Sequence, residues 1–371
     1  MKKIILSTVA ALVVFVGATL LLLSYYQDEV PPETSDVTSE VVLDETVEDP
    51  ELSGVRVNIH NHFIGEYESV ADYELAIDGI LQTMEAELIS KMVLMPQPYP
   101  DDEQFLMPIE MFAQAIAAHP DQLSFFAGGE SLNKMIQASS GQETVDQRTL
   151  DIFEARAKEL VELGAIGFGE MTALHFSLGE GHPFEEVAPD NQLFLTLADL
   201  AAEYGIPIDI HMEAVPEDMD FPWSDRVSSK ENPDTLTANI DAFERLLDYN
   251  LDAKIIWSHA GWGNTGERTP ALMGKLLSNH DNLFMSIKIG PDSVDKTRPM
   301  NKDGELKSDW LSLLKEFPDR FSIGSDKFYA IPDNSTEVQK RNQATDYFLS
   351  LLPEDLAYQI TVTNPSVLFE N

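Results

Sequence analysis

An α/β fold, a (β/α)8 TIM barrel with enlarged loops, is what the sequence predicts. Three observations point to it. Short β-branched apolar runs alternate with helix-periodic segments from Gly54 onward, eight such units can be counted, and 43% of the 371 residues are hydrophobic, enough for a large core. Alternation alone would also allow a doubly wound sheet; the count of eight favours the barrel.

The units follow in order. Strand 55–60 precedes a helix at 73–86, and strand 91–95 precedes one at 105–118. Strand 123–127 leads to a helix at 148–163 with apolar residues at three- and four-residue intervals. Strand 165–169 is followed by helix 192–204, strand 207–211 by helix 236–247, and strand 254–258 by helix 271–278. Strand 283–287 with helix 308–316, then strand 321–324 with helix 336–352, complete the set. This domain occupies 54–371, with long rim loops expected at 171–191, 213–234 and 288–305.

Two segments precede it. Met1-Lys2-Lys3 is followed by an apolar run over 4–23, long enough to cross a bilayer. Residues 1–26 therefore read as a membrane anchor or a signal segment, with the anchor favoured because no cleavage site is evident. Residues 27–53 include Pro31-Pro32 and many acidic residues with no Lys or Arg, as an extended linker would. An exported, membrane-anchored enzyme with its catalytic domain in the periplasm or outside the cell is the expectation. The net charge of −40 argues against nucleic-acid partners, because a polyanion would be repelled. With no cysteine, disulfides, thiolate ligands and a cysteine nucleophile are excluded. Any metal must be held by nitrogen and oxygen. No Gly-x-Ser-x-Gly elbow and no Gly-rich phosphate loop is present.

The chemistry-bearing residues fall at the predicted strand ends. His60 and His62, in Asn58-Ile59-His60-Asn61-His62-Phe63, lie two apart on strand 1, so their imidazoles project to one side. Glu170 closes strand 4, His211 strand 5, His259 strand 6 and Asp326 strand 8. Barrel active sites are built at that rim, where residues distant in sequence meet.

These residues resemble the pattern of the amidohydrolase superfamily: His-x-His after strand 1, a carboxylated Lys or a Glu after strand 4, His after strands 5 and 6, and Asp after strand 8. The ending Asn364-Pro365-Ser366-Val367-Leu368-Phe369 looks like the closing segment of the metal-dependent hydrolase branch related to amidohydrolases and decarboxylases. No lysine stands at the strand 4 position, so a bridging ligand there must be Glu170. The resemblance implies a divalent metal cofactor, zinc first, as one or two ions held by His60, His62, Glu170, His211, His259 and Asp326. In a one-ion site, His259 would instead polarise the substrate carbonyl. Asp326 and His259 are the implied catalytic residues. The implied activity is metal-dependent hydrolysis of an amide, lactone or other ester of a small molecule by an activated water. Decarboxylation of an unsaturated or aromatic acid is the alternative, and a catalytically inactive metal-binding surface protein the third reading.

His175, Lys288, Lys327 and Trp262 are the candidates for substrate contact. For His175 a plain surface histidine remains open, and for each lysine a structural ion pair. A homo-oligomer is also open.

Overall fold

A computed structural model of the chain describes residues 56–63, 69–98, 108–179, 182–290, 293–329 and 336–369. The expected anchor and linker at 1–26 and 27–53 lie outside these residues. Among the described residues no helix is long and apolar enough to cross a membrane.

Strand β1 spans Arg56–Phe63, followed by α1 (Val70–Ala86), β2 (Ile89–Met95) and α2 (Ile109–Ile116). The third strand is split into β3 (Leu123–Phe125) and β4 (Ala127–Gly128), then come α3 (Leu132–Ala138) and α4 (Gln147–Glu162). Next are β5 (Phe168–His175), β6 (Glu185–Glu186), α5 (Gln192–Tyr204) and β7 (Ile208–Met212). A two-stranded ribbon, β8 (Met219–Asp220) with β9 (Thr235–Leu236), precedes α6 (Ile240–Tyr249). The rest is β10 (Ile255–Ala260), α7 (Pro270–Asn279), β11 (Leu283–Ile287), α8 (Ser308–Glu316), β12 (Phe321–Ile323), β13 (Lys327–Tyr329) and α9 (Thr336–Ser350). Helix α10 (Glu354–Tyr358), a π-helical turn (Gln359–Thr363) and α11 (Asn364–Phe369) finish the chain.

Local chemistry explains several of these boundaries. Asp146 accepts from Thr149 N at 3.1 Å to open α4, and Thr269 accepts from Leu272 N ahead of Pro270 to open α7. Gly205, at φ +69°, ends α5 in the left-handed conformation.

The main strands pair in parallel, apart from the antiparallel edge strand β6 on β5. One sheet has the order β13-β1-β2-β3, and the second runs β12-β11-β10-β7-β5-β4. The two are consecutive around one set of eight β/α units, an arrangement consistent with a TIM barrel, although the ladders do not form one closed sheet. Both interruptions lie within single strands that change partner. Phe126 N donates to Leu94 O at 2.9 Å, while Ala127 N donates to Gly167 O at 3.1 Å. Likewise Gly324 N donates to Ile287 O and Asp326 N to His60 O, both at 3.0 Å.

Three C-terminal strand ends differ from the sequence expectation by two residues or more. Strand 1 continues past His60 to Phe63, strand 6 past Ser258 to Ala260, and strand 4 runs Phe168–His175 instead of stopping at Gly169. The physical reason is shared. Parallel strands covered on both faces have no alternating polar face, so a polar residue inside one reads as its end. Here those polar residues are buried: His60, His62, Glu170, Thr172 and His259. Sequence also missed α3, whose Asn133 accepts from Thr172 N at 2.8 Å. Helix α6 starts at Ile240, four residues later than expected, because Thr235–Leu236 pairs in the ribbon.

The eighth strand can approach β1 only because residue 324 is glycine. A Cβ there would lie 2.6 Å from Ser286 Cβ and 2.8 Å from His60 Cβ. Gly324→Ala is expected to destabilise the protein by about 1–3 kcal/mol, the usual cost of overpacking, read as a lower midpoint in urea unfolding monitored by circular dichroism.

Candidate metal centre

Two histidines on β1 and a carboxylate from the turn between β12 and β13 supply the first half of the site. His60 and His62, alternate residues of β1, bring their Nε2 atoms to 3.2 Å. Asp326 Oδ1 lies 3.2 Å from His62 Nε2 and 3.7 Å from His60 Nε2. Glu170, on β5, joins the other half. Its Oε1 lies 3.0 Å from His211 Nδ1 and 3.0 Å from His259 Nε2, while its Oε2 lies 3.3 Å from His62 Nε2. His259 Nε2 and His211 Nδ1 are 3.1 Å apart. All six residues expected as ligands are thus brought together. His60, His62 and Asp326 form one ligand group, and His60, Glu170 and His259 another.

The spacing fits a cation. Atoms bound at roughly 2.0–2.2 Å to one ion sit about 2.8–3.6 Å apart along the edges of its polyhedron. The charge fits as well. Among the described residues, the buried carboxylates of Glu170, Asp209 and Asp326 face the buried Lys288 ammonium, and the nearby Arg268 guanidinium is matched by the buried Glu213. Such an imbalance is costly in a dry interior unless positive charge is added. The imidazoles show the same demand. Burial works against charging His62, yet hydrogen bonds to Asp326 and Glu170 raise its pKa to about 10. Burial likewise opposes the charging of His60, but the Asp209 and Glu170 carboxylates leave its pKa raised. Burial would push Glu170 up, but hydrogen bonds from His211 and His259 hold it well below the usual carboxylate range. Asp326 is also held well down: burial would raise it, but Lys288, His259 and His62 together outweigh burial. Burial keeps His259 neutral, its pKa well below the ordinary histidine value, against the pull of Asp326.

A surrounding set holds these groups in place. Asp209 Oδ2 accepts from His60 Nδ1 at 3.0 Å, which leaves Nε2 as the lone-pair nitrogen facing the cluster. Ser258 Oγ donates to the other Asp209 oxygen. Ser325 Oγ accepts from Asn58 Nδ2 at 2.6 Å and donates to Asn61 Oδ1 at 3.1 Å, tying the turn before Asp326 to β1. The buried Arg268 guanidinium donates to the carbonyls of Ser258 and Met212 and stacks 4.2 Å from the Trp257 ring centroid. It therefore clamps the ends of β7 and β10 beside His211 and His259. Two of the six, His259 (φ +67°) and Asp326 (φ +52°), are non-glycine residues in the left-handed region, a conformation retained where surrounding structure enforces it.

The candidates for substrate contact divide. Trp262 borders the centre, its ring 6.0 Å from His259 and 6.5 Å from His211. Lys288 donates to Asp326 Oδ2 and lies 4.0 Å from the Trp262 centroid. The His175 ring is 4.7 Å from His211 and 4.6 Å from His182. Lys327 is placed differently from the expectation. On β13 it neighbours Phe328, which stacks on His62, so it faces the opposite side and pairs with Glu87 at 2.6 Å. It is a structural ion pair between β13 and the end of α1.

Sequence reasoning missed Asp209, Arg226 and Arg268. Asp209 had a usable signal, a carboxylate between Ile208 and Ile210 in a strand with no exposed face. Arg226, whose guanidinium carbon lies 4.6 Å from the Trp262 centroid, had none, sitting in an irregular loop.

A family model described as amidohydrolase matches residues 144–370, and the chain belongs to that family. The match includes Glu170, His211, His259 and Asp326; His60 and His62 precede it and join through the fold. No curated protein matches the chain. Similar solved structures include dihydroxybenzoic acid decarboxylase from Polaromonas sp. JS666 with bound manganese and the inhibitor 2-nitroresorcinol (13% identity, 85% of this chain and 97% of that one, TM-score 0.47). A 2,6-dihydroxybenzoate decarboxylase complexed with 2,6-dihydroxybenzoate is similar at 14% identity (85% and 98% covered, TM-score 0.48). Dihydroorotase from Campylobacter jejuni is similar at 14% identity (85% and 83% covered, TM-score 0.41).

Two outcomes follow from this geometry. Asp209→Asn removes the charge that orients His60, and metal affinity is expected to fall about 10–100-fold in competition with a chromophoric chelator. Burial lowers the His182 pKa to about 4, against an unfolded value of about 6.5. The unfolded chain then binds the extra proton between those values, so stability is full above pH 6.5 and falls as pH drops towards 4. Urea unfolding of metal-free protein between pH 4 and 6.5 should show His182→Asn losing less stability on acidification than the unsubstituted chain.

Proposed function

We propose that this chain is a metal-dependent hydrolase of the amidohydrolase type, cleaving an amide, lactone or other ester bond of a small molecule. The carrying observation is Glu170, which turns one oxygen to His211 and His259 and the other to His62. That orientation supports a site in which His60, His62 and Asp326 would hold one ion, His211 and His259 a second, and Glu170 would serve both. Zinc suits the donor set of imidazole nitrogens and carboxylate oxygens. Bound there, a divalent cation supplies Lewis acidity that brings a water pKa towards neutrality and polarises a carbonyl.

The protein's own groups do the rest. Asp326 is placed to accept the proton of the attacking water and pass it to the leaving group. Lys288 donates to Asp326 Oδ2 and, with His259 and His62, favours its anionic form. Asp209 holds His60, and Arg268 holds the strand ends that carry His211 and His259. His259, neutral and buried, presents Nε2 to the cluster. The apolar N-terminal run behind Met1-Lys2-Lys3 supports an exported protein anchored in the membrane.

Purified protein is expected to hold stoichiometric metal, and His60→Ala to lose both metal and turnover. In H2(18)O, the product of a screen of amides and lactones should carry one labelled oxygen. Carbon dioxide release without label incorporation would reassign the site to decarboxylation, and an active His60→Ala would end the metal-dependent reading.

A further inference from the structure

We propose that Arg226 and Lys288, both packed on the Trp262 indole, form a carboxylate subsite, so that the substrate of the hydrolase proposed above is an organic acid. The inference rests on that reading for the bond that is cut, and on separate residues for what is recognised.

The subsite is built onto the strand ends that carry the metal ligands. Trp262 N donates to His259 O at 3.0 Å, and Lys288 N donates to Ala260 O at 2.9 Å. Gly261, at φ +96°, permits this approach, because a Cβ there would lie 2.9 Å from Lys288 O. The Lys288 ammonium lies 4.0 Å and the Arg226 guanidinium carbon 4.6 Å from the Trp262 ring centroid, both within cation–π range. Arg226 is held by an ordered loop although it lacks regular structure. Phe221 N donates to Asp234 O at 2.9 Å at the loop base, beyond the β8–β9 ribbon. Asn232, just past Arg226, exchanges two hydrogen bonds with the Ser177 backbone, at 2.8 and 2.9 Å.

Three features point to an anion with paired oxygens. Trp262 Nε1 is a buried donor with no hydrogen-bond partner among the described residues, and such a group calls for an acceptor. A guanidinium is a planar fork matched to a carboxylate, and an aromatic ring beside it helps fix its plane. The chain carries 24 basic residues against 64 acidic ones, so two cations on one indole beside the centre run against the overall composition. An approaching acid finds its local compensation there. Lys288 is shared with Asp326, which places the subsite next to the proton-transfer carboxylate.

The test uses the full chain loaded with zinc and compares benzoate with the neutral isostere benzamide by titration calorimetry. Benzoate is expected to bind at least about tenfold more tightly, the scale of one charge-assisted hydrogen bond. Arg226→Gln should bring benzoate to the benzamide level with zinc content unchanged. Trp262→Phe, which keeps a ring and removes the N–H, should weaken benzoate several-fold and benzamide not at all, and it decides the matter if Arg226→Gln does not fold. Equal binding of acid and amide, or an acid preference that survives both substitutions, would overturn the subsite; the latter would assign the acid to the metal alone. Zinc content is read separately, so a protein without zinc that still prefers the acid would sink the hydrolase reading and leave the subsite standing.

Discussion

The Glu170 carboxylate, buried among imidazoles from three other strands, is the interaction on which the rest of the structure depends. A carboxylate with 3% of its surface exposed must be compensated, and here it meets His211, His259 and His62 within 3.3 Å. Those contacts outweigh the burial that would otherwise neutralise it. The same logic repeats at Asp326 with Lys288 and at Asp209 with His60 and Ser258. Each pairing offsets a desolvation cost of several kcal/mol for an isolated ion, and removing one partner strands the other. The centre is therefore a single electrostatic unit.

The scaffold's irregularities serve that unit. The third and eighth strands change hydrogen-bonding partner midway, and on the eighth the change falls at Gly324–Asp326. Gly324 admits the close approach to His60, and Asn58, Asn61 and Ser325 fasten the turn. Asp326 then emerges with φ +52°, aimed at His62 instead of along the ladder. Arg268 performs the matching task across the site by spanning two strand carbonyls. The closing Asn364 works at the opposite end of the same strand, donating to Pro318 O and Phe321 O at 2.7 Å. A rigid rim of this kind pre-positions ligands, which is how weak individual contacts yield a defined site.

The order of the elements was legible because strand and helix periods survive in the sequence. Helix 192–204, strand 283–287 and helix 308–316 agree with the structure to the residue. The six convergent residues were legible because histidines and carboxylates are conspicuous inside apolar strands. Strand ends were misread at those same places: Glu170 and His60 looked like exits from strands that continue for several residues. For Lys327 the sequence left substrate contact and a structural ion pair open, and its pairing with Glu87 on the opposite face of the strand from Phe328 fits the second. Arg226 and Arg268 were invisible because their roles depend on where loops fold back, and no local period encodes that.

Net charge and site charge are separate matters in this protein. The −40 of the whole chain is dominated by carboxylates that water can solvate at little cost, so it bears on solubility and on which polymers are repelled. The local balance is set by buried groups: the Glu170, Asp209 and Asp326 carboxylates, the Lys288 ammonium, and the Arg268 guanidinium with its Glu213 partner. In that setting a charge acts at several times its strength in water. Lys288 consequently has two consequences from one position: it lowers the basicity of Asp326, and it puts positive charge on the face of Trp262. Any group that draws on that ammonium's charge therefore alters what Asp326 experiences.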